Sequence, residues 1–278
     1  MSLPLGELAA LATACCWTAS SLAFSAAGRR MGSLSLNLVR LVLAFMLLSI
    51  YGWVRRGVPL PIDAPLQTWL WLIASGLVGY LFGDICLFRA FVLIGPRLSM
   101  LLMALAPPMA AVFGFFLLNE RLSSLGIAGM IVTVGGIVWV VLERPESTEG
   151  NQSTSAKKIP IQGILLGLGG ALGQAGGMIL SKIGMGEYDV VASGQIRVLA
   201  GILGFSGIFT AIGWWGKTRD AIRDKTALGY ASIGAFMGPF LGVSLSLVAI
   251  RYTETGIAAT LMSTTPVLII PIVILTGQ

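Results

Sequence analysis

Ser75-Gly76-Leu77-Val78-Gly79-Tyr80-Leu81-Phe82-Gly83 and Gly234-Ala235-Phe236-Met237-Gly238-Pro239-Phe240-Leu241-Gly242 are the two stretches that decide the fold, and they lie 159 residues apart. At that shift Gly79 meets Gly238, Gly83 meets Gly242, and Ser75 meets Gly234. The match runs outward to Pro107 with Pro266 and Asn119 with Gln278. Nearer the start of each copy a shift of 157 pairs Gly6 with Gly163, Ala14 with Ala171 and Arg40 with Arg197. So long a period marks two fused domain-sized units, because solenoid and propeller repeats run at about 20–50 residues.

Composition fixes the solvent. Of 278 residues, 56% are hydrophobic and 11% charged, too little polar material to coat a soluble globule of this size. Stretches free of Asp, Glu, Lys and Arg run 8–28, 64–83, 98–119, 122–142, 159–181, 226–250 and 255–278. Each approaches the ~20 residues that a helix needs to cross a bilayer core. The stretches 31–54 and 190–216 qualify apart from one arginine each, Arg40 and Arg197, so nine crossings are predicted. Runs of this length do not fit the alternating ~10-residue strands of a membrane barrel, and helices satisfy every backbone group internally. The predicted fold is an all-α polytopic membrane protein. No positive charge precedes the first span, which reads as a retained helix and not as a signal peptide.

Residues 143–160 are polar, rich in Ser and charge, and without apolar periodicity, which marks a flexible connector. It divides the chain into a first repeat, 1–142, and a second, 161–278. Five spans precede the connector, so the second copy enters the membrane from the opposite face. The expectation is an inverted repeat of five-helix halves, an arrangement found in many secondary transporters. The second copy has no counterpart of Glu120, Arg121 and the span 122–142, so a tenth helix is expected to be missing.

Several chemistries are disfavoured. The chain has no histidine, which removes Ser-His-Asp hydrolysis and His-ligated zinc. Cys15, Cys16 and Cys86 form neither a disulfide framework nor a metal motif. No cofactor, metal site or catalytic residue is expected, and no phosphate-binding P-loop is present to couple transport to a nucleotide. The net charge of +6 belongs to membrane-flanking loops and needs no nucleic-acid partner.

Trp17 within Cys-Cys-Trp-Thr-Ala-Ser-Ser, the entry Arg40-Leu-Val-Leu-Ala44, and Pro107 leading through Asn119-Glu120-Arg121-Leu122 to Gly126 and Gly135-Gly136 together resemble the drug/metabolite transporter superfamily, EamA type. The resemblance covers nearly the whole chain. It implies a ten-helix permease or exporter of small organic solutes in a bacterial inner membrane, with the YddG-like amino-acid exporters among the nearer groups.

Candidate site residues follow from where the two copies differ. Tyr80 and Asp84 sit one turn apart in the third span, and their counterparts are Pro239 and Val243. A carboxylate inside a spanning helix costs about 2.5–3.5 kcal/mol on insertion scales, so Asp84 is read as a binder of a substrate amine, a carrier of a coupling proton, or the partner of Arg40. Trp17 is central in its span, whereas Trp53, Trp69, Trp71, Trp139, Trp214 and Trp215 stand near span ends, where interfacial aromatics belong. Gln174 is its counterpart, and the pair is predicted to form opposite walls of one pocket. Met103, Pro107, Ser263 and Thr264 are further cavity candidates. Arg40 and Arg197, being symmetric, are read as structural or gating residues. Pro107, Pro108, Pro239, Pro266 and Pro271 predict kinks. Gly79, Gly83, Gly238 and Gly242 predict close helix packing.

Orientation is left open, because Lys and Arg favour an outside N-terminus whereas the resemblance implies an inside one. The expected activity is secondary transport of a small-molecule solute across the lipid bilayer by a monomer or homodimer. A non-transporting scaffold, a lipid-handling protein and an efflux carrier of quaternary amines are the alternatives.

Overall fold

A computed structural model describes residues 5–121, 124–142, 160–265 and 268. Among them every regular element is helical. In chain order these are α1 (Leu5–Met31), α2 (Ser33–Arg56), α3 (Leu66–Gly76), a π-helical segment (Leu77–Gly83), α4 (Asp84–Met103), α5 (Ala106–Leu118), α6 (Ser124–Leu142), α7 (Ile161–Met185), α8 (Val190–Ile212), α9 (Trp215–Arg223), α10 (Lys225–Ala235), a second π-helical segment (Phe236–Gly242), α11 (Val243–Tyr252) and α12 (Thr255–Met262).

Helix boundaries follow local chemistry. Gly32, at φ 76°, is the single residue between α1 and α2, a left-handed backbone that only glycine adopts cheaply. Asp189 and Asp224 cap α8 and α10 by accepting from Ala192 N and Ala227 N at 2.8 and 3.0 Å. The predicted run 190–216 stops at Ile212, where Gly213 turns left-handed at φ 65° and the chain enters the polar helix α9. Pro107 and Pro108 follow the break between α4 and α5, inside the apolar run Leu101–Leu118. They occupy the first turn of α5, where the missing N–H groups have no intrahelical partner to lose.

Among the described residues, seven helices are long and apolar enough to cross a membrane: Leu5–Met31, Ser33–Arg56, Leu66–Leu87, Leu101–Leu118, Ile161–Met185, Val190–Ile212 and Lys225–Tyr252. Nine were expected. The eighth, 122–142, is represented by α6, which carries no Asp, Glu, Lys or Arg. Of the ninth, 255–278, only the first residues and 268 are described. Apolar residues such as Ile50, Phe116, Leu203 and Ile233 stand on the outside of the bundle, as a lipid solvent requires.

The two π-helical segments begin 159 residues apart, at Leu77 and Phe236, the shift seen in the sequence. Each widens a long helix where a helix from the other half rests on it. On the first segment lies α7: a Cβ on Gly173 would meet Gly83 Cα at 2.6 Å, and one on Gly177 would meet Gly79 Cα at 3.0 Å. Ser75 Oγ donates to Gly177 O at 2.7 Å and shares a 2.8 Å hydrogen bond with Ser181 Oγ. On the second segment lies α1: Phe24 covers Gly234, Ser20 covers Gly238 and Trp17 covers Gly242. At a shift of 157, Ser20 corresponds to Gly177 and Phe24 to Ser181, so the same contacts recur with the roles of the halves exchanged. The small residues thus serve backbone approach, the main means of helix association where lipid gives no hydrophobic drive.

Two apolar cores flank this crossing. One, with Ala10, Ala175, Leu247 and Ile250, joins α1, α7 and α11, and the other, with Leu41, Leu48, Phe205 and Phe209, joins α2 and α8. Tyr80 packs against both.

Candidate functional site

Between these cores lies a cavity of about 30 Å³, walled by Trp17 of α1, Tyr80 of the first π-helical segment, Gln174 and Met178 of α7, Arg197 of α8 and Ser246 of α11. That space holds about one water molecule. Three of the residues predicted from the sequence, Trp17, Tyr80 and Gln174, meet here, and Gly79 borders them. The indole of Trp17 is seated on Gly242, whose hypothetical Cβ would stand 2.7 Å from Trp17 Cδ1. No larger residue at 242 leaves the ring in this place.

Asp84 does not line the cavity. It forms an ion pair with Arg40 of α2, whose guanidinium also stands 5.5 Å from the centre of the Phe24 ring. Both side chains are largely shielded, with 16% and 17% of their surface exposed. Tyr80, within the π-helical segment, has Arg197 of α8 over its ring, while Asp84, the first residue after that segment, meets Arg40 of α2. Met103 packs its sulfur against Gly170, and Pro107 is buried at the start of α5. Ser263 is exposed, Thr264 is half-buried, and each hydroxyl bonds back to its own helix. These four do not reach the cavity. Gly83 and Gly238 serve helix contacts, and Pro266 and Pro271 lie outside the described residues.

Arg197 is the residue that sequence reasoning undervalued. Symmetry with Arg40 points to a structural or gating role, yet Arg197 is 7% exposed, lines the cavity, and stacks its guanidinium 5.1 Å from the centre of the Tyr80 ring. Its Nε donates to Ser75 Oγ at 2.9 Å. The signal was present in the sequence: Asp84, which neutralises Arg40, has Val243 as its counterpart.

One end of the bundle is closed by a polar network. Lys182 Nζ donates to Glu120 Oε1 at 2.7 Å and to Thr253 O at 2.9 Å, while Glu120 accepts from Thr255 N and Oγ1 at 2.9 and 2.8 Å. Glu120 thereby caps α12 and ties the first half to the second. Nearby, Asp63 accepts from Tyr188 Oη at 2.9 Å and pairs with Arg56. Burial opposes ionisation of Asp63, but the hydrogen bonds from Arg56 and Tyr188 outweigh it and hold the carboxyl below its ordinary range. At the other end Arg30 donates to Asp224 at 2.7 Å, and that bond, with the Ala227 N–H, holds the Asp224 carboxyl low. Replacing Glu120 by Ala is expected to leave Lys182 and Thr255 without their acceptor and to cost about 1–3 kcal/mol, read as earlier thermal unfolding in detergent. An unchanged melting temperature refutes the tie.

The model of the EamA-like transporter family matches residues 4–142 and 161–276, two copies either side of the connector. Among curated proteins, the uncharacterized membrane protein YMR253C of Saccharomyces cerevisiae is 24% identical over 193 residues, covering 66% of this chain and 46% of its own length. The probable transport protein YPL264C of the same yeast is 27% identical over 130 residues, 45% of this chain and 36% of its own. The probable magnesium transporter NIPA7 of Arabidopsis thaliana is 33% identical over 93 residues, 34% of this chain and 28% of its own. This chain therefore spans less than half the length of each. A crystal structure at 19% identity has the same fold, with a TM-score of 0.67 over 98% of this chain and 88% of that one.

Proposed function

The chain belongs to the EamA-like transporter family, and from that premise we propose that it is a secondary transporter of small organic metabolites, amino acids or related amphipathic solutes, exporting them by alternating access. The halves 1–142 and 161–278 are inverted copies of a ten-helix plan, and they exchange open faces around the cavity at Trp17, Tyr80 and Gln174. The observation that carries this reading is that a small cavity with polar groups in its wall draws its lining from both halves, at the crossing where α1 and α7 rest on the π-helical segments. Its present volume is too small for a solute, which fits an occluded arrangement, and polar ties stand at each end to be broken in turn. Because Asp84 is held by Arg40, a proton arriving at Asp84 would release both groups, which makes this pair the natural place for proton coupling.

Proteoliposomes loaded with an amino acid and diluted into its labelled form test the reading by counterflow, with and without a pH gradient. Saturable flux that falls at least tenfold in Trp17→Ala is expected, the flat ring being a major part of the contact surface at about 1–3 kcal/mol. No saturable flux across amino acids and aromatic metabolites overturns it.

A further inference from the structure

Resting on that transport reading, we propose that Arg197 is the group that binds the carboxylate of an organic anion in the cavity, with the rings of Trp17 and Tyr80 against the apolar body of the same solute.

The inference comes from a broken symmetry. Arg40 and Arg197 each stand seven residues after the first residue of their helix, α2 from Ser33 and α8 from Val190. Both guanidiniums are permanently charged and directed into the bundle. A buried charge is tolerated when something nearby neutralises it, because desolvating an isolated ion costs several kcal/mol. Arg40 has Asp84. At the matching place opposite Arg197 the chain carries Val243, which lines the cavity itself. Among the described residues no carboxylate pairs with Arg197. Its protein partners are the Ser75 hydroxyl, through Nε, and the face of the Tyr80 ring, and neither carries a negative charge.

The geometry leaves the far edge of the guanidinium for a ligand. Nε is committed to Ser75, whose own oxygen is fixed by Gly177 and Ser181, so the plane of the group is set before any solute arrives. Gly79 brings the backbone close to one terminal nitrogen without covering it: a Cβ there would stand 3.6 Å from it. A planar two-oxygen acceptor is the natural partner of such an edge. The second unmet group is the Tyr80 hydroxyl, which is fully enclosed and has no hydrogen-bond partner in the protein. A buried polar atom left in this way calls for a partner, an ordered water or a group of a ligand. A carboxylate on Arg197, with a polar substituent on its body reaching Tyr80, satisfies both. A cationic solute would add a second positive charge to an enclosed site that already holds one.

Matched probes separate this from ordinary hydrophobic uptake: 3-phenylpropionate, phenylalanine and benzoate against their primary amides, with phenyl phosphate as a different anion. The readouts are thermal stabilisation of the purified full chain and counterflow in proteoliposomes. At least one carboxylate is expected to bind about tenfold or more tightly than its amide, and Arg197→Gln to lose that difference while Arg197→Lys keeps part of it. Val243→Asp supplies the missing counter-charge and is expected to abolish carboxylate binding in a protein that still folds, so the answer does not depend on the stability of Arg197→Gln. Equal binding of acid and amide, undiminished carboxylate binding in folded Arg197→Gln or Val243→Asp, or binding of phenyl phosphate alone overturns the proposal. Saturable flux of a neutral or cationic solute untouched by these changes also overturns it, while leaving the transport reading in place. Carboxylate binding without any flux does the reverse.

Discussion

Asp84→Ala is expected to be among the most damaging single changes in this chain, lowering stability by about 3–5 kcal/mol, because it leaves the Arg40 guanidinium enclosed without its counter-charge. Arg40 is already under strain of this kind, since its Nε has no hydrogen-bond partner and the Asp84 carboxylate meets the terminal nitrogen alone. Removing both charges is a different matter. The double variant Arg40→Leu with Asp84→Leu is expected to recover most of the loss, since replacing a buried pair by apolar groups of similar bulk is often neutral. Thermal unfolding of the two single variants and the double variant closes the cycle. Additive losses, with no recovery in the double variant, sink the claim that the two residues form one unit. The same proteins report on function. A double variant that is folded but has lost its response to a pH gradient assigns coupling to this pair, and one that keeps it places coupling elsewhere.

The second large effect is steric. Gly173→Ala is expected to cost about 1–3 kcal/mol and to depress flux, because its Cβ would stand 2.6 Å from Gly83 Cα, a backbone atom that cannot rotate aside. The helix α7 must then move off the π-helical segment, and Gln174, the next residue, moves with it. Gly136→Ala provides the control. Among the described residues a Cβ there meets nothing within 4 Å, and alanine favours a helix over glycine by about 1 kcal/mol, so this change is expected to be neutral or mildly stabilising. Similar melting temperatures for the two variants refute the view that glycines at 173 and 136 serve different ends.

These two cases also mark how far the residues could be read unaided. The glycine ladder is legible because lipid offers no hydrophobic drive between helices, so small residues four apart have few other uses. Trp17 stands out because aromatic residues in a membrane protein gather near the interfaces and this one does not. Met103, Pro107, Ser263 and Thr264 are less legible. Their predicted place rested on nearness to the matched prolines Pro107 and Pro266, and nearness to a break in a helix does not say which way a side chain points: the chain breaks after Met103 and turns at Ser263. For Asp84 the residues offered three readings, and only the fold selects the ion pair with Arg40.

By itself, then, the order of residues determined the solvent, the helical class, the duplication and the set of polar groups that must find partners, because the cost of exposing backbone and charge to lipid acts on each segment separately. Only the tertiary structure decided which of those groups meet. Arg40 and Arg197 occupy matching places in matching helices, yet one is neutralised by Asp84 and the other faces a cavity with Trp17, Tyr80 and Gln174, because pairing depends on how the halves cross and on what the opposing helix carries at that point.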